Sequence, residues 1–97
     1  QCDVVHVGGF SEGFKVAQLA ETRYLKLATH GWPRLNSHLV ATVKDAVVEY
    51  HSRGDGLDQV LYEEVIDQEN SKMRMPDGPG LGLTPRQDYL KDTLIKS

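Results

Sequence analysis

Residues 2–23, CDVVHVGGFSEGFKVAQLAETR, decide how the rest of the chain is read. Cys2 to Val7 has the β-branched run of a buried strand, with Val4, Val5 and Val7 in six residues. Gly8 and Gly9 end it. Ser11 is placed to cap a helix, and Glu12 falls in the first turn, where the helix dipole favours a carboxylate. Val16, Ala17, Leu19 and Ala20 then recur at helical spacing, with Lys15, Gln18, Glu21 and Arg23 on other faces, so the helix runs to about Arg23. The glycines invite comparison with a phosphate-binding loop, but Phe14 follows Gly13 and Val16 follows Lys15. The lysine comes one step late and the hydroxyl residue is missing, so that motif fails.

Outward from this unit the alternation continues. Tyr24 to Ala28 reads as a second strand, ending at Thr29-His30-Gly31-Trp32-Pro33; Asn36 or Ser37 caps a second helix reaching about Ala46; and Val47 to Tyr50 makes a short third strand. Strand, helix, strand, helix, strand implies right-handed crossovers and a parallel sheet. Three strands cannot close a barrel and leave two open edges, so the expected class is α/β, an arc of a larger parallel sheet. Arg53-Gly54-Asp55-Gly56 is a turn-rich break. Beyond it, Leu61 to Ile66 is expected to pair with Lys72 to Met75 as a hairpin around Gln68 to Ser71. Pro76 to Leu83 is a glycine–proline loop, and Thr84-Pro85-Arg86-Gln87 has capping-box spacing, with Pro85 first in a helix to about Leu94.

The 97 residues suffice for one modest core. A formal net charge of −3 without a basic cluster argues against nucleic acid. Apolar runs are too short to span a bilayer, and the start lacks the pattern of a secretory signal. The single cysteine, Cys2, cannot form an internal disulfide, which favours a reducing, cytoplasmic home. A chain that opens with Gln1 directly on a strand is expected to be a piece of something longer.

Asp3 on the first strand, His30 just after the second and Glu49 within the third are the residues that could carry chemistry. Ligands of parallel α/β folds meet the carboxyl ends of strands, where three such groups can converge. A carboxylate bonded to an imidazole fixes its tautomer and raises its basicity; a lone Asp, His and Glu in a chain with four histidines more often mean nothing. Other signals are weaker. His30, His38 and His51 fit no zinc spacing, and a satisfied polar His38 is the simpler account. Arg53-Gly54-Asp55 is explained by a turn. Gly78-Pro79-Gly80-Leu81-Gly82 lacks the last glycine and the leading strand of a dinucleotide loop. Trp32 either lines a site mouth or packs as a loop aromatic, and Cys2 reads as a small buried apolar residue.

DVVHVGGFSEGFKVAQLAE, ATHGW, VVEY and MPDGPGLGLT, in that order, resemble the C-terminal part of the mandelate racemase and muconate lactonizing branch of the enolase superfamily. The resemblance covers nearly the whole chain. It implies that residues 1–50 are the last three strands and helices of a modified TIM barrel, and that residues 51–97 are a C-terminal tail returning toward a capping domain. Where muconate lactonizing enzymes carry a lysine, Asp3 stands, as in the racemase and acid-sugar dehydratase subgroup, whose aspartate pairs with a histidine at the place of His30. Glu49 matches the glutamate that hydrogen-bonds the substrate carboxylate in mandelate racemase. The implied chemistry is removal of the proton α to a carboxylate in a Mg²⁺-dependent enzyme, with the metal's ligands on earlier strands outside this segment. The implied substrate is a hydroxy acid or acid sugar and the implied reaction dehydration, with 2-hydroxy-acid racemisation or a non-catalytic α/β interaction module as alternatives. The rest of the parent polypeptide is the expected partner, the family often forms homo-oligomers, and the 97 residues alone are expected to be inactive.

Overall fold

A computed structural model describes residues 1–51 and 56–95. Three backbone segments lie side by side in parallel, with Cys2 bridged to Thr29 and Ala28 to Val47. The ladder is regular where it exists: Cys2 N donates to Ala28 O (3.3 Å), His30 N to Cys2 O (3.1 Å), Thr29 N to Val47 O (3.1 Å) and Val47 N to Leu27 O (3.0 Å). These are isolated bridges, and the three strands that the β-branched runs predict do not form at full length. The first does not continue to Val7, because His6 N and Val7 N both bond to Asp3 O (3.0 and 2.9 Å) and Gly9 N bonds to Val4 O (2.9 Å). The chain therefore turns from Val4 onward.

Helix α1, Phe10–Thr22, begins at an N-cap of Gly9 with φ 92° and no side-chain cap. Ser11, expected as the cap, lies inside the helix; a glycine that bends the chain sharply makes the start two residues earlier. Gly13 and Ala17 form its buried side. A Cβ on Gly13 would sit 3.2 Å from Leu39 Cδ2 and 3.3 Å from Val4 Cγ1, so the bare backbone is what lets α1 lie close to its neighbours. The core is Cys2, Val4, Ala17, Leu27 and Leu39, flanked by Phe10, Leu35, Val43 and others.

Helix α2, Pro33–Val40, starts earlier and stops sooner than the sequence predicts. Pro33 opens the helix, where a missing N–H costs nothing, behind a Trp32 N-cap in the left-handed region at φ 43°. Neither Asn36 nor Ser37 is a cap. The helix closes with tight bonds from Thr42 N to Leu39 O and Val43 N to Val40 O, both 3.1 Å.

The second half departs further. Helix α3, Gly56–Leu61, was not legible; Arg53 to Asp55, the rest of the expected turn, lie outside the described residues. Residues 61–63 do not pair with 72–75 but with 84–86, through an antiparallel Tyr62–Pro85 bridge and bonds from Glu63 N to Thr84 O (2.9 Å) and Arg86 N to Leu61 O (2.8 Å). The hairpin is the minimal one, β1 (Gln68–Glu69) against β2 (Lys72–Met73). Asn70 and Ser71 between them have φ of 51° and 58°, the doubly left-handed turn that matches strand twist. Helix α4, Gln87–Thr93, has Arg86 as N-cap. The expected capping box does not form, because Thr84 is engaged by Glu64: its N–H donates to Oε2 (2.7 Å) and its hydroxyl to Oε1 (2.6 Å).

Among the described residues, Arg34 and His38 fasten this half to the first. Arg34 on α2 is ion-paired with Asp58 on α3, their side chains 5 % and 2 % exposed, and also donates to Asp58 O (2.7 Å) and Glu64 O (3.0 and 3.2 Å). His38 Nε2 lies 2.8 Å from Leu81 O, with the His38 ring edge-on to Phe10 at 6.3 Å. Among the described residues no helix is long and apolar enough to cross a membrane.

Candidate functional site

Asp3 sits where the first segment leaves the ladder, and its side chain is 5 % exposed. Oδ1 accepts from Val5 N (3.0 Å) and Asn36 Nδ2 (3.1 Å), and Oδ2 meets His6 Nδ1 (2.7 Å). Burial pushes the Asp3 carboxyl up, but bonds from Val5 N–H, His6 and Asn36 outweigh it and hold the group below the usual range, hence ionised.

His30 follows the second segment with an exposed side chain. It lines the same two cavities as Asp3 and His6. One, of about 800 Å³, opens over Val16, Leu25 and Leu27 of the first two units. The other, about 190 Å³, is walled by Gly31, Trp32 and the start of α3. The expected direct bond between Asp3 and His30 is not made here; His6 holds the outward oxygen of Asp3 instead. The reason is local. Once the chain turns at Val4, residues three apart come together, and His6 reaches Asp3 before an imidazole from the next segment does.

Glu49 lies two residues past the bridge at Val47. Its Oε2 accepts from Gly31 N (2.9 Å) and its Oε1 faces His51 Nε2 at 3.1 Å. The Gly31 N–H above all lowers its carboxyl, burial opposes this, and His51 and the nearby His30 lower it further. Asp3 and His30 thus share cavities, and Glu49 is bonded to the residue next to His30. Two ionised carboxylates beside exposed imidazoles form a set that can take up and return a proton.

Sequence reasoning missed two residues of this cluster. His6 was read within a strand, where positions three apart point to opposite faces. Asn36 reads in the sequence as one of two candidate helix caps with Ser37, although it is fully buried and bonded to Asp3. Trp32 lines the smaller cavity beside His30. No three His, Cys, Asp or Glu among the described residues converge as a metal site. The oxygen-rich set that Mg²⁺ requires is therefore not assembled among the described residues.

Residues 1–89 match a family model described as enolase C-terminal domain-like. The chain is 32 % identical over 102 residues to an arabinonate dehydratase of Saccharolobus solfataricus, covering 100 % of this chain and 27 % of that protein. It is 31 % identical to a D-xylonate dehydratase of Haloferax volcanii, covering 97 % of this chain and 24 % of that one. Among solved structures it superposes on an L-talarate dehydratase of a Polaromonas species, complexed with Mg and L-glucarate, with a TM-score of 0.83 and 34 % identity over 94 % of this chain and 25 % of that one. The chain therefore spans about a quarter of the length of the relatives it matches.

Proposed function

Because the chain belongs to the enolase C-terminal domain-like family, we propose that it is the C-terminal part of a Mg²⁺-dependent, cytoplasmic enolase-superfamily enzyme that dehydrates an acid sugar. In this reading residues 1–50 supply the final three strands of a modified TIM barrel and residues 51–97 a tail directed at a capping domain. The metal's ligands lie elsewhere in the parent polypeptide. The observation that carries the reading is the common cavity of Asp3 and His30, in a chain whose relatives are sugar-acid dehydratases.

His30 takes the proton α to the substrate carboxylate and protonates the departing hydroxyl. Asp3 keeps that imidazole oriented, which requires its Oδ2 to pass from His6 to His30 when the site is assembled. Glu49 is ionised in the absence of substrate, and an anionic carboxylate approaching it raises its affinity for a proton, so that it becomes a hydrogen-bond donor to the substrate. Acid–base help of this kind is worth roughly 10²- to 10⁴-fold, about 3 to 5 kcal/mol. That falls well short of what so weak a carbon acid needs, so the 97 residues alone are expected to be silent. Acid sugars offered with Mg²⁺ to the full-length parent test the reading. Turnover is expected, and His30→Asn should abolish it without changing the thermal midpoint; a His30→Asn enzyme that still turns over removes His30 from its role.

A further inference from the structure

Asn36 has 0 % exposure, an unusual place for an amide, and its side chain is met by polar groups from the site on all sides. Its Oδ1 accepts from Val4 N (3.0 Å), while Nδ2 donates to Asp3 Oδ1 (3.1 Å), to Gly31 O (2.8 Å) and, at a longer 3.4 Å, to His30 O. It serves no purpose as a helix end, since its own N–H already bonds to Trp32 O at 2.9 Å. A single side chain in the first turn of α2 thus ties the point where the first segment turns away to the bend that carries His30. The polarity is matched as well as the shape. Val4 presents a donor and must face the amide oxygen; Asp3 and Gly31 present acceptors and must face the amide nitrogen. Leucine would take the partner from Val4 N–H and Gly31 O and leave Asp3 Oδ1 with Val5 N–H alone, and aspartate would set one carboxylate against another.

We propose that Asn36 is a positioning residue of the site, holding Asp3 by Oδ1 so that Oδ2 alone faces the imidazoles, and holding the His30–Gly31 backbone at a fixed separation from it. The inference rests on the acid–base reading of Asp3 and His30 above. With Oδ1 shared between Asn36 and Val5 N, the carboxylate has one oxygen to offer, which His6 takes here and which His30 reaches from the same cavity. The other charged or titratable groups around these residues are Cys2 and Lys26 in the larger cavity, Asp58 in the smaller one and Glu49 with His51 beside Gly31.

The test uses the full-length parent and two variants of nearly equal shape. Asn36→Asp keeps the acceptor for Val4 and adds charge; Asn36→Leu removes both functions. The His6 and His30 rings are titrated by proton NMR, with assignments from His6→Gln and His30→Gln. In Asn36→Asp the imidazole bonded to Asp3 should hold its proton to roughly tenfold lower proton concentration, and in Asn36→Leu should release it at about tenfold higher. In an active parent, kcat should fall by about 100-fold with KM within about twofold, the pattern of lost alignment rather than lost binding. Should Asn36→Leu not fold, Asn36→Ala, which removes the same bonds without adding charge and should shift the ring titration in the same direction, decides in its place. A residue that only holds the fold would lower the thermal midpoint and leave both ring titrations in place; that result, or an unchanged kcat in an active parent, overturns the proposal. The titrations need no substrate. They therefore stand apart from a failure of the parent to turn over any acid sugar, which would count against the enzymatic reading instead.

Discussion

Arg34→Met should remove a large share of the stability of this chain. The guanidinium is buried with Asp58, and it also supplies the donors that meet Asp58 O and Glu64 O. Methionine fills a comparable volume, so the change tests charge and hydrogen bonding more than packing. Taking one partner from a buried ion pair costs about 3–5 kcal/mol, because the remaining carboxylate stays in a poorly solvated place. At roughly 0.05–0.15 kcal/mol per residue a chain of this length has on the order of 5–15 kcal/mol in all, so the variant would retain a small residue of it at the lower end. Arg34→Lys should fall between, since an ammonium lacks the planar fork that reaches Asp58 and Glu64 together. Equilibrium urea unfolding followed by the fluorescence of Trp32, the single tryptophan, measures the loss directly. Raising the salt from 0.1 M to 1 M should change it little, because buried pairs are weakly screened. A loss under about 1 kcal/mol would refute the argument, since a charge removed from a buried pair cannot be that cheap.

The remaining predictions concern acid and one glycine. Asp3, Glu49 and Glu64 all have carboxyls held below their ordinary values, so their contribution is complete above the unfolded-state values and is lost as pH falls through the depressed ones. The thermal midpoint should be level near neutrality and decline in acid below about pH 4, and Asp3→Asn should flatten that decline; a midpoint that rises on acidification would contradict the assigned bonds. Gly82 has φ 67°, and a Cβ there would come within 2.7 Å of Pro76 Cβ and 3.1 Å of Gly78 N. Gly82→Ala should cost about 1–3 kcal/mol from strain and overpacking together, read in the same urea experiment, and a neutral result would mean that the loop does not hold this shape.

The order of the first three extended segments and two helices was legible because β-branched runs, a glycine pair and helical spacing all agreed, although the segments meet only through isolated bridges. Boundaries were less so. The Val4-Val5-His6-Val7 run reads as strand, yet Asp3 O collects two amide bonds and starts a turn, a choice that depends on what packs against Val4. Pro33 reads in the sequence as the end of a strand and is the beginning of a helix, which only the left-handed Trp32 before it reveals. In the second half, Thr84 had two possible partners for its hydroxyl, a helix amide or a distant carboxylate, and the sequence carries no sign that Glu64 wins. Asp3, His30 and Glu49 stand out through the family motifs that surround them, and the structure puts Asp3 and His30 on shared cavities and Glu49 on the amide of Gly31. Asn36 was hidden because buried amides and helix caps use the same residue type.

The link between α2 and the glycine–proline loop has a property of its own. A carbonyl oxygen can only accept, so the 2.8 Å approach of His38 to Leu81 O fixes a hydrogen on Nε2. That hydrogen is present in one neutral tautomer and equally in the imidazolium. Acidification that discharges the carboxylates elsewhere leaves this clasp fastened, and the loop keeps its anchorage on either side of neutrality.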